Sequence, residues 1–198
     1  NNGINLAVEQ INNAGGINGR KLEIIFEDSE GQPSKAVSAY TKLRDANKVK
    51  FVMTHQSSIA LAVAELANQD KIVQMDISAT TPKYSTSNDY TFRVGVVATQ
   101  LAKDAADFLS GKGKRLGIIF INNDFGKGMS ESFKKYYSGE TVAEETFDAN
   151  AADFRTQLLK IKNSNATMIF LTGQLKESGL ILKQATELGL GAKFFSDL

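Results

Sequence analysis

The sequence predicts an α/β protein of two doubly wound parallel-sheet lobes, and three observations predict it. Short continuous apolar runs recur along nearly all 198 residues, as in strands buried on both faces. They alternate with helix-forming segments in the manner of βαβ units, whose crossover helices cover a parallel sheet. A looser stretch over 83–97, following Pro82 and containing Ser85, Ser87, Asn88 and Asp89 as breakers, divides two comparable series.

The first series opens with a helix over 5–12, the turn Gly15-Gly16-Ile17-Asn18-Gly19 and a strand over 21–26. A polar loop over 28–34 leads to a helix over 35–46, a strand over 49–53, a helix over 59–68 and a strand over 72–77. The helix over 59–68 is built of strong helix formers, and Ser57 or Ser58 is its natural N-cap. The second series runs helix 98–110, strand 116–121, helix 127–137, strand 141–147, helix 152–163, strand 167–171, helix 176–188 and a short strand over 193–195. We therefore expect a first lobe over 1–90, a hinge or crossover over 91–97 and a second lobe over 98–198.

With 42% hydrophobic and 23% charged residues, the composition is that of an ordinary globular protein. A net charge of +1 with dispersed lysines leaves no electrostatic footprint for nucleic acid. The densest basic run, Lys112-Gly113-Lys114-Arg115, reads as a solvated turn before a strand. No apolar run reaches the roughly 18 residues of a transmembrane helix, and no signal peptide is legible in the sequence. Without cysteine, thiolate metal sites and thiol catalysis are excluded.

Two hydroxyl clusters stand where apolar strands run out: Gln56-Ser57-Ser58 and, about one helix later, Ser78-Ala79-Thr80-Thr81-Pro82. In open parallel sheets, ligands bind outside the carboxyl ends of the strands. The first-turn N–H groups after Ser57-Ser58 lack intrahelical partners and carry the positive end of the helix dipole. A carboxylate placed there gains donors without Lys or Arg. A single serine in such a place also reads as a plain cap of its own helix; the second cluster, at the next strand end, favours a receptor for a small anion.

Enzyme motifs fail on context or spacing. Gly15-Gly16-Ile17-Asn18-Gly19 precedes a strand, whereas the dinucleotide fingerprint follows one, and Phe125-Gly126-Lys127-Gly128-Met129-Ser130 lacks phosphate-loop spacing. His55 is the only histidine, which excludes a paired-His metal site, and no Gly-x-Ser-x-Gly elbow is present. Asp28, Asp76 and Asp124 at strand ends read as turn and helix caps. No enzyme activity, metal or cofactor is expected.

Several segments follow one another in an order that resembles the type I periplasmic binding proteins of the branched-chain amino-acid class, over nearly the whole chain. They are Leu6-Ala7-Val8-Glu9-Gln10-Ile11-Asn12-Asn13-Ala14-Gly15-Gly16-Ile17-Asn18-Gly19-Arg20-Lys21-Leu22, Asp28, Ser57-Ser58, Ala79-Thr80-Thr81-Pro82, Phe92-Arg93, Asp124-Phe125-Gly126-Lys127-Gly128, Asp153-Phe154 and Lys183-Gln184-Ala185-Thr186-Glu187-Leu188-Gly189-Leu190. The resemblance implies a receptor of an ABC uptake system, periplasmic or extracellular, with or without a lipid anchor. Such a receptor closes two lobes on an amino acid or similar small carboxylate and delivers it to a membrane permease.

The resemblance also implies site residues. Ser57, with Ser58 beside it, and Thr80 hold the ligand carboxylate; Ser78, next to Ala79, offers its backbone carbonyl to the ligand amino group. From the second lobe, Phe125 packs on the ligand where the family often carries Tyr. Gln174 falls near a further contact that is also often Tyr, and an acidic partner for the ligand ammonium falls at or just beyond Asp197. Family members begin with an additional strand and a Gly-rich loop and continue well past Leu198. Both lobes are thus expected to be incomplete, the first lacking its N-terminal strand and the second its C-terminal part. The alternative class is the ligand-sensing extracellular domain of a signalling receptor, which uses the same fold.

Overall fold

Two parallel sheets organise residues 2–85, 89–110 and 115–196, the residues described by the computed structural model. Helix α1 (Asn2–Asn13) comes first. The first sheet then holds β1 (Phe51–Thr54), β2 (Val73–Asp76) and β3 (Thr91–Arg93) in that order. Its register sets Val52 beside Gln74 and Thr91, and one residue on, Met53 beside Met75 and Phe92. Successive side chains leave opposite faces, so these rows cover different sides. Helices α2 (Pro33–Asp45) and α3 (Ser57–Asp70) cover the first side, burying Ala36, Tyr40, Val52, Ile59, Val63 and Ala67 together. On the other side Phe51, Met53 and Phe92 stay 45–48% exposed.

Residues 21–26, expected as a strand, form none. The turn before them is the one expected: Ile17 and Arg20 exchange backbone hydrogen bonds. Gly16, at φ 75°, admits no side chain there, because a Cβ would lie 2.1 Å from the Arg20 carbonyl oxygen. Asn12 then holds the chain as it leaves the turn, donating to the Leu22 carbonyl (2.9 Å) and accepting from its N–H (2.7 Å). Beyond Leu22 no ladder forms, and Ile24, Ile25 and Phe26 are 38–42% exposed. The physical reason is the lack of a neighbour. Among the described residues β1 pairs only with β2, and a cavity of about 650 Å³, lined by Ile24, Phe26, Val49, Val52 and Thr54 among others, lies between its open edge and this segment. An apolar run becomes a strand only when a partner backbone lies one ladder spacing away, about 4.8 Å.

The second sheet runs β5-β4-β6-β7, all parallel: β4 (Leu116–Ile121), β5 (Thr141–Phe147), β6 (Met168–Thr172) and β7 (Lys193–Ser196). Helices α4 (Ala98–Ser110) and α5 (Asp124–Tyr136) bring Ala102, Leu109, Met129 and Phe133 against Ile118 and Phe170. Helices α6 (Arg155–Asn163) and α7 (Leu175–Glu187) bring Leu158, Ile161 and Ile181 against Ile119, Ile169 and Leu171 on the opposite face. β4 and β6 are buried at every position, which is why they read as unbroken apolar runs. The helices that follow these two adjacent strands go to opposite faces. Such a switch opens a crevice at the carboxyl ends, here between Asn123 and Gln174.

The connector differs from expectation. Within 91–97, Thr91–Arg93 form β3, a strand too short to show in the apolar pattern, which leaves 94–97 as the passage to α4. α5 starts three residues before the expected 127 because Asn123 caps it, accepting from the Gly126 N–H at 3.0 Å. A Cβ on Gly126 would lie 2.0 Å from the Ile121 carbonyl oxygen, so glycine alone lets this helix start close over the end of β4. Most of the basic run 112–115 lies outside the described residues. Among the described residues no helix is long and apolar enough to cross a membrane.

Candidate functional site

The chain turns sharply between β1 and α3. Gln56 takes φ 84° and ψ 142°, a backbone region sparsely populated by residues with a Cβ, and α3 begins immediately after it. Gln56 is therefore the N-cap, and its side chain caps nothing. The expectation that Ser57 or Ser58 caps α3 is overturned: both lie inside its first turn, and their hydroxyls are released for other partners. The Gln56 N–H donates to the Ser78 hydroxyl at 2.9 Å, tying this turn to the end of β2.

Ser57 is 2% exposed, and its hydroxyl oxygen accepts from the N–H groups of Thr80 (3.2 Å) and Thr81 (3.3 Å). A hydroxyl has two acceptor lone pairs and one donor hydrogen. Both lone pairs are used, and the hydrogen remains to donate. The Thr80 hydroxyl oxygen is buried without a hydrogen-bond partner among the described residues. The first turn of α3 closes with the Ala60 N–H on the Gln56 carbonyl, so the N–H groups of Ser57, Ser58 and Ile59 have no intrahelical acceptor. Two hydroxyl donors beside a helix N-terminus suit a carboxylate.

Asp76 and Arg93 hold the second strand end in place. The Asp76 carboxylate is fully buried and accepts from the Thr54 hydroxyl (2.7 Å), the Ser78 N–H (2.8 Å) and the Ala79 N–H. Arg93, its register partner on β3, donates to the carbonyls of Ala79 and Thr81, both at 2.9 Å, and of Tyr84. Its guanidinium also lies 5.5 Å from the centre of the Tyr84 ring. Burial lowers the Arg93 pKa from its ordinary value. Ala79 is fully buried with its N–H and carbonyl already committed. The Ser78 carbonyl accepts no hydrogen bond among the described residues. No role for Arg93 was legible beforehand, because its task depends on which strand lies beside which.

The second sheet contributes differently. Phe125 is half-buried and packs against both cores of that sheet. Gln174 is exposed at the N-cap of α7 and makes no cap bond, and Asp197 lies outside the described residues. The group that reaches the first sheet is Asp124, whose carboxylate accepts from the Ser58 hydroxyl at 2.7 Å. In return the Asp124 N–H donates to the same oxygen at 3.3 Å. Along this seam Gly128 faces Thr81 and Pro82, which a Cβ would meet at 3.5–3.6 Å. Asp28, by contrast, accepts from the Glu30 N–H at 2.8 Å, so the three strand-end aspartates serve three separate places. The 650 Å³ cavity is lined by none of Ser57, Ser58, Ser78 or Thr80; it is the gap beside β1 and not the anion site.

Two parallel-sheet bodies, linked by a short passage and meeting where their helices begin, define the architecture of a two-lobed solute-binding protein. The chain belongs to the periplasmic binding protein family, whose model matches residues 1–196. It is 30% identical over 197 residues to the leucine-, isoleucine-, valine-, threonine-, and alanine-binding protein of Pseudomonas aeruginosa, covering 96% of this chain and 52% of that one. Identity to Leu/Ile/Val-binding protein homolog 1 of Brucella abortus is 27% over 206 residues, covering 98% of this chain and 54% of that one. Among solved structures it is similar to LivJ, the branched-chain amino acid transporter substrate binding protein of Streptococcus pneumoniae, in complex with isoleucine. That match has a TM-score of 0.87 and 30% identity, and covers 97% of this chain and 56% of that one. The chain spans about half the length of the curated relatives it matches.

Proposed function

We propose that the protein carrying this chain is an extracytoplasmic receptor of an ABC uptake system. It holds a branched-chain amino acid, or a similar small carboxylate, between a first lobe that ends with β3 and a second lobe over 98–198, hinged over 94–97, and passes it to a membrane permease. The observation that carries this reading is Ser57: its lone pairs are occupied by the Thr80 and Thr81 N–H groups, which leaves its hydrogen to donate, in the first turn of α3. The names of the relatives support the ligand class. Ser57 and Thr80 donate to the ligand carboxylate, and the Ser78 carbonyl accepts from its ammonium, with Asp197 as the acidic partner. Phe125 and Gln174, on the two sides of the crevice in the second sheet, meet the ligand side chain. The ligand stabilises the closed state through contacts that it makes only there.

Calorimetric titration of the full-length protein with leucine, isoleucine and valine tests this reading. Thr80→Val removes a hydroxyl that has no hydrogen-bond partner among the described residues, so stability is expected to hold while affinity falls roughly tenfold or more, the worth of one charge-assisted hydrogen bond. Adding Ser57→Ala should take the loss to about a hundredfold or beyond, with about 1–2 kcal/mol of stability lost because two N–H groups are orphaned. Native affinity in the double variant would rule out the site.

A further inference from the structure

We propose that the Ser58–Asp124 pair is the latch that holds the two lobes closed, and that Ser58 is a positioning residue for ligand capture rather than a ligand contact. The proposal rests on the reading of this chain as a two-lobed receptor. Ser58 is the second residue of α3 and Asp124 the first of α5, on helices that belong to different sheets. The Ser58 hydroxyl works in both directions, giving its hydrogen to the Asp124 carboxylate at 2.7 Å and accepting from the Asp124 N–H at 3.3 Å. Its single hydrogen is spent, so it has none for a ligand carboxylate. That sets it apart from Ser57 one position earlier, whose hydrogen has no acceptor among the described residues.

The electrostatics give the contact its value. Two helix N-termini meet at this point, and like ends of two dipoles repel as the lobes approach. The Asp124 carboxylate lies in the first turn of α5 and is bonded to the first turn of α3, so one negative charge serves both. Across the same seam the Gly128 backbone faces Thr81 and Pro82 without polar contact. The Ala98 N–H to Thr80 carbonyl bond (2.7 Å) also links the two parts, but next to the covalent passage. The Ser58–Asp124 pair forms only when the lobes are together, which makes it a differential interaction favouring the closed state. It also fixes the start of α5, and with it Phe125, against the helix end that carries Ser57.

The test uses the full-length protein with Ser58→Ala, Asp124→Ala and the double variant. Spin labels at Gln69→Cys and Lys135→Cys, both exposed positions on α3 and α5, report the distance between lobes; the 198 residues contain no native cysteine to compete for label. Stopped-flow measurements with leucine give the binding rates. Each single variant is expected to shift the ligand-free distance distribution toward longer values and to speed leucine dissociation roughly tenfold, with the association rate unchanged. The double variant should be no worse than either single one, because the two residues act as one unit. Unchanged distances and rates would overturn the latch. So would additive losses, which would mean that Ser58 touches the ligand itself. If the parent protein fails to bind leucine, the functional reading falls, while the ligand-free distances still decide the latch.

Discussion

Arg93 shows how much of the second strand end depends on one side chain. Its guanidinium ties together the carbonyls of Ala79, Thr81 and Tyr84, and the loop so held presents the Thr80 hydroxyl and the N–H groups that orient Ser57. Arg93→Met keeps much of the stem but leaves the carbonyls of the buried residues Ala79, Thr81 and Tyr84 without that donor. We expect a loss of about 2–4 kcal/mol in urea unfolding, together with weaker leucine binding; an unchanged midpoint would show that the loop holds its own shape. The residue was visible in the sequence within a family-like Phe92-Arg93 pair, yet its role was not, because the Asp76–Arg93 register is a fact of pairing rather than of local sequence. The same holds for Ser57 and Ser58. As adjacent serines before a helix they look alike, and only the positive φ of Gln56 moves both into the first turn and gives them different partners.

At the scale of elements, helices α2 and α3 are joined at their far ends by a polar cluster. Asp70 accepts from Arg44 at 2.8 Å and from the Tyr40 hydroxyl at 2.9 Å. The hydrogen bond from Arg44, and then that from Tyr40, hold the Asp70 carboxyl below its ordinary value of 3.8. A carboxyl with a depressed folded pKa contributes stability that is complete above the unfolded value and is lost as pH falls through the folded one. Asp70→Asn should therefore lower the urea midpoint at neutral pH, and the gap to the parent protein should close as pH drops from about 4 toward 2. A gap that persists at low pH would assign the effect to packing. Elements of this kind were largely legible: α4, β4 and β5 run over the expected residues, because helix-forming faces and buried apolar runs are local signals. β3, at three residues, is too short to carry an apolar pattern, and 21–26 carries a strand's pattern without forming one, because a strand is settled by its neighbour and not by its own side chains.

The two sheets differ as wholes, and the difference makes its own prediction. The second is clothed on both faces, with β4 and β6 buried throughout, whereas the first has one covered face, an open edge at β1 and an unpaired segment beyond the cavity. Backbone amides exchange with solvent according to the cost of opening them. For the 198-residue chain by itself, amides over 23–28 should exchange within seconds to minutes, those of β1 should be intermediate, and those of β4 and β6 should be the slowest, as read by hydrogen exchange with mass spectrometry. The apolar lining of the gap, from Ile24 and Phe26 on one side to Val49 and Val52 on the other, is the chemistry of a buried strand site. In a full-length protein that supplies a strand there, the amides over 23–28 should slow by orders of magnitude while those of β4 and β6 barely change, because only the first sheet gains a ladder. Equal slowing in both sheets would instead indicate a general gain in stability, and fast exchange over 23–28 in the longer protein would show that the gap is not filled by a strand.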